Sequence, residues 1–146
     1  MSLQHDFDTS MNATADRKFF TVDEANRALP YVSRIVEDVR RTYRRAIDLQ
    51  EQIEHPLPGA EEVVMQRDYA AAIDELNRYV DELGQVGVEL KDYDMGLIDF
   101  PSMHEGREVC LCWKRGENSV AAWHETDAGF AGRQSVELLD EQPADD

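Results

Sequence analysis

The chain has little cysteine, little basic charge and no long apolar run. Cys110 and Cys112 are the only cysteines among 146 residues. Two such residues cannot make a disulfide framework, so a reducing cytosol is the expected setting. No run approaches the ~18 apolar residues of a membrane helix, and the N-terminus lacks the pattern of a signal peptide. Lys and Arg together number 15 against 31 Asp and Glu, for a net charge of −16. Such a chain is repelled by phosphate backbones and anionic lipid, so neither nucleic acid nor a membrane is an expected partner. No HExxH, Gly-x-Ser-x-Gly, P-loop or dinucleotide fingerprint occurs, so no reaction or cofactor is indicated. What is present is enough apolar material for a core, at 42% of residues.

The charge is unevenly placed. Residues 17–54 are nearly balanced at +1, whereas residues 55–146 carry −14. Residues 1–17 are polar and without period, which predicts a disordered leader. Residues 135–146 predict a frayed acidic tail. A single domain is expected over 18–134, with a helical hairpin at 21–84, a sheet at 86–124 and a glycine-containing turn at 125–134.

Thr21-Val22-Asp23-Glu24 is a capping box, and Phe20 can staple the helix start. Val22, Ala25, Leu29, Val32, Val36, Val39, Tyr43 and Ala46 follow at alternating steps of three and four. That heptad seam predicts a long first helix ending near Ile53. Pro30 predicts a kink or break. His55-Pro56-Leu57-Pro58-Gly59 stops the helix. A second helix is expected from about Glu61 to Leu83, closed by Gly84, on the stripe Met65, Tyr69, Ala72, Leu76, Tyr79 and Leu83. The short loop makes the two helices antiparallel.

After Gly84 the period changes to two. Strands are expected at 86–90, at 96–100 up to Pro101, at 108–113 and at 119–124, with hairpin chemistry at 104–107 and 114–118. Helices precede strands, so the class is α+β with an antiparallel sheet of about four strands.

These blocks resemble a known family. Phe20-Thr21 with Glu24-Ala25-Asn26 and Leu29-Pro30 is similar to the opening of the bacterial domain-of-unknown-function family 2203. So are Gly87 to Asp92, Gly96 to Pro101, Gly106 to Trp113, Trp123-His124-Glu125 and Asp127 to Gln134. The resemblance covers nearly all of residues 19–134 and implies a small bacterial cytoplasmic protein. It carries no activity and hence no catalytic residues.

Several groups are candidates for chemistry. Arg40, Arg41, Arg44 and Arg45 form a basic knot, read as a solvated face with Glu37–Arg41 and Arg44–Asp48 pairs. Cys110 and Cys112 share one face of a strand. They are either buried inert thiols or partners of a histidine at a zinc site. His124 closes a strand just before Glu125 and Asp127, which suits ligand binding or acid–base work. Asp127 to Arg133 is either a glycine turn plugged by Phe130 or an anion pocket using Arg133. Asp92, Asp94 and Asp99 crowd one connection that a divalent cation would suit.

Two functions follow. The first is a non-enzymatic module that self-associates through the hairpin, most simply as a homodimer. The second is a small enzyme or ligand-binding protein. Its candidate residues are His124, Glu125, Asp127 and Arg133, and its metal candidates are His124, Asp127 and Asp99. In that reading Asp127 folds back beside the imidazole and Arg133 meets an anionic group. The structural alternative for Arg133 is a salt bridge to Asp127 or Asp99.

Overall fold

The computed structural model describes residues 18–139. The expected leader, residues 1–17, and the last seven residues of the expected tail lie outside the described residues. Thr21 begins the first helix as its capping box requires. Its hydroxyl accepts the Glu24 N–H and the Glu24 carboxylate accepts the Thr21 N–H, each at 3.0 Å. Helix α1 then runs Val22–Glu54, 33 residues or about 50 Å. No break occurs at Pro30. Leu29, Val32, Ile35 and Val36 on both sides of the proline enter one core, which outweighs a single missing helix bond.

Helix α2 spans Glu62–Val86 and continues through Gly84, contrary to the expected stop there. The terminator is Gly87, with a left-handed φ of 102°. Its N–H reaches the Gly84 carbonyl at 3.0 Å, and the Val88 N–H reaches the Leu83 carbonyl at 3.1 Å. Those two bonds satisfy the Gly84 and Leu83 carbonyls in the last turn, with Val88 and Leu83 both in the core. Val86 is therefore helical, and the first strand begins later than its alternation suggests.

Five strands follow: β1 Glu89–Asp92, β2 Leu97–His104, β3 Arg107–Lys114, β4 Ala122–Glu125 and β5 Gln134–Ser135. They form one antiparallel meander in chain order. The fold is thus α+β as expected, with five strands rather than about four. Strand β2 does not end at Pro101. Its carbonyl points outward to the Phe20 N–H at 2.7 Å. The missing Pro101 N–H would lie on that same outer side, so the β3 ladder loses nothing. Ser135 pairs with Ala122, and Val136 packs against the core.

The strand at 119–124 is shortened because Asn26 holds the preceding segment. Its Oδ1 accepts the Val120 N–H at 2.7 Å, and its Nδ2 donates to the Val120 and Val22 carbonyls at 3.2 and 3.1 Å. Replacing Asn26 by Ala leaves the buried Val120 backbone without partners. We expect a loss of about 2 kcal/mol, seen as a lower urea midpoint at unchanged slope. A loss within experimental error would contradict the clamp.

Alternation gives the sheet two faces. Ile98, Phe100, Leu111, Trp113 and Trp123 pack with Val32, Val36, Leu76, Val80 and Leu83 of the hairpin. Asp99, Pro101, Cys110, Cys112, Ala122 and His124 lie on the opposite face. In the basic knot Arg40 and Arg44 take tertiary partners, and Arg41 takes Asp38 within the helix in place of the expected Glu37. Arg40 and Arg44 donate to Asp94 in the β1–β2 turn at 3.1 and 2.9 Å, Arg115 takes Glu37, and Arg41 pairs with Asp38. Tyr43 stacks on Tyr93 at 5.1 Å, so side chains from both elements tie that turn to α1. No helix among the described residues is long and apolar enough to cross a membrane.

Candidate functional site

The two-residue turn Glu105-Gly106 sets the β2–β3 register and places Asp99 opposite Cys112. The β3–β4 register places His124 opposite Cys110. Asp99 and His124 belong to strands on either side of β3, yet their side chains meet. His124 Nε2 lies 3.1 Å from each carboxylate oxygen of Asp99. Cys112 completes a trio whose donor atoms all lie within 4.8 Å of one another. Exposure is 1% for Asp99, 0% for Cys112 and 3% for His124.

The proton inventory follows from the partners. His124 Nδ1 lies 2.7 Å from the Glu125 carbonyl, which only accepts, so Nδ1 carries hydrogen. Nε2 then faces a carboxylate. That contact requires a proton between them, or a cation in its place. Burial, and next the Asp99 charge, push the Cys112 thiol up to about 12, so it is protonated near neutral pH until something displaces the proton. Burial likewise pushes Cys110 up to about 12. The trio is not a nucleophilic triad. In a triad the histidine contacts nucleophile and orienting carboxylate through different nitrogens. Here Nδ1 is spent on a backbone carbonyl.

One oxygen, one sulfur and one imidazole nitrogen are donors that suit zinc or a similar divalent transition metal. A carboxylate and a thiolate would balance its two charges. The Nδ1 bond to a backbone carbonyl fixes the tautomer that leaves Nε2 to the metal.

The structure brings His124 and Asp99 together and adds Cys112. The other residues singled out in the sequence lie elsewhere. Glu125 points to the hairpin side, where Arg107 grips both its oxygens at 3.1 and 2.6 Å and lowers its pKa. Asp127 is exposed in the turn after β4. Arg133 pairs with Glu117 at 2.9 Å, rather than with Asp127 or Asp99. Phe130 does not plug the core. It is 39% exposed, with Lys114 and Arg133 over its ring at 5.9 and 4.8 Å. Asp92 and Asp94 serve the β1–β2 turn, where Asp92 Oδ1 accepts the Asp94 and Met95 N–H groups. They are thus separated from Asp99 in role.

A family model described as "Uncharacterized conserved protein (DUF2203)" matches residues 18–136. No curated protein and no solved structure matches the chain.

Proposed function

The chain belongs to the DUF2203 family, and we propose that its function rests on binding a divalent transition metal of the zinc type. The site is Asp99, Cys112 and His124. The observation that carries this reading is the convergence of three unlike donors from three adjacent strands within 4.8 Å, all sealed from solvent. Buried groups of this kind are expensive without compensation, and a dication compensates all three together. Protein stripped with a chelator and then given excess zinc is expected to retain about one ion per chain. It should also gain thermal stability, because binding favours the folded state. Cys112→Ser and His124→Ala should bind zinc more weakly and lose most of that thermal gain. A wild type that keeps no zinc and shows no thermal shift would refute the reading.

A second observation supports self-association. At about 50 Å, α1 outreaches the eight-residue strands β2 and β3, which span only ~27 Å. Beyond the sheet the hairpin keeps a separate small cluster of Ala46, Leu49 and Ala72 with Tyr69 and Ile73. Ile47, Leu57 and Val63 are exposed there or in the adjoining loop. A second copy of the hairpin would cover them in a four-helix arrangement. Light scattering should then give twice the 16.7 kDa of one chain, and Ile47→Glu with Val63→Glu should return it to one. A wild type at 16.7 kDa would exclude the dimer.

A further inference from the structure

The trio leaves one corner of a tetrahedral site unfilled, and the strand registers indicate which residue fills it. Asp99 lies opposite Cys112, and His124 lies opposite Cys110. The contact between Asp99 and His124 therefore crosses β3 diagonally, over the stretch between those two cysteines. Cys110 and Cys112 are two residues apart on one strand, so both thiols project to the face where that contact lies. Neither is in a disulfide, and both are buried.

We propose that Cys110 is the fourth ligand, making Asp99, Cys110, Cys112 and His124 a closed metal centre that staples β2, β3 and β4. This inference rests on the metal-binding reading above. The Cys110 sulfur lies outside the trio, so ligation requires a change of its side-chain rotamer. Four protein ligands define the structural class of zinc site, whereas three plus water define the catalytic class. Burial of the trio at 3% exposure or less suits the closed class.

One carboxylate and two thiolates around a dication leave one net negative charge. Near Cys110 stand Lys91, Glu89 and Glu108, and near Cys112 stand Arg133 and Glu117.

Zinc K-edge X-ray absorption of the zinc-loaded wild type counts sulfurs directly. The expected result is two sulfurs at ~2.3 Å and two nitrogen or oxygen scatterers at ~2.0–2.1 Å. In the cobalt-substituted protein, Cys110→Ser should lose about half of the thiolate-to-metal charge-transfer absorbance. One sulfur in the wild type, or a cobalt spectrum unchanged by Cys110→Ser, would overturn the fourth ligand and leave the three-ligand reading standing. A wild type that binds neither metal would overturn both. The sulfur count needs no variant, so it decides the question even if Cys110→Ser fails to fold.

Discussion

Replacing Asp99 by Ala in the metal-free protein is expected to cost about 3–5 kcal/mol, the range for removing one partner of a buried ion pair. Asp99 and His124 are 1% and 3% exposed and meet at 3.1 Å. Truncating the carboxylate removes the acceptor facing Nε2 in a site closed to solvent. Folded domains of this size hold only about 5–15 kcal/mol in total, so the variant should lie near the edge of folding. Asp99→Asn keeps one side-chain oxygen as an acceptor, with an amide nitrogen in place of the other, and should lose less, about 1–3 kcal/mol. Replacing both partners by apolar residues, as in Asp99→Leu with His124→Phe, should cost less than the two single changes added together, because neither charge is then stranded. Urea unfolding of the four proteins at neutral pH measures the cycle. Additive losses would mean that the two residues act independently, and the short contact would then have no energetic content.

Much of this arrangement is legible in the sequence, and the illegible part has a physical cause. The hairpin follows from the heptad seam, and its start from Thr21 and Glu24. The pairing of Asp99 with Cys112 is also readable. A two-residue turn at Glu105-Gly106, with φ of 52° and 79°, fixes the register of everything before and after it. That register was the available signal for Cys112. The place of His124 is different. It depends on the β3–β4 connection, residues 115–121, which is too long to specify a register. Its length is set by Asn26, a side chain 94 residues from Val120 in sequence. The partner of Arg133 is equally non-local, because Glu117 also accepts the Lys114 N–H within that connection. Proximity in sequence suggests Asp127 instead, but Asp127 sits on a turn that leads outward. A strand as short as β5 has no period to read.

Gly84 and Gly96 should respond to alanine with opposite signs. Gly84 lies within α2, and a Cβ added there meets nothing within 4 Å. Alanine removes the entropy penalty of a helical glycine, so Gly84→Ala should stabilise by about 0.5–1 kcal/mol. Gly96 closes the β1–β2 turn with φ at +69°, and its new Cβ would lie 2.7 Å from the Arg115 Cβ and 3.1 Å from Val36 Cγ1. Arg115 Cβ cannot swing aside, because its own backbone N–H is bonded to the Gly96 carbonyl at 2.9 Å. Val36 is fixed in the core between α1 and the sheet. The left-handed backbone costs about 1 kcal/mol for a residue with a side chain. Overpacking adds about 1–3 kcal/mol, so Gly96→Ala should lose about 2–4 kcal/mol. The turn would have to lift from α1, weakening the Arg40 and Arg44 contacts to Asp94 as well. Urea midpoints for the two variants against wild type read the signs directly. A neutral Gly96→Ala would show that the turn is not pressed against the helix, and a destabilising Gly84→Ala would return the helix end to Gly84.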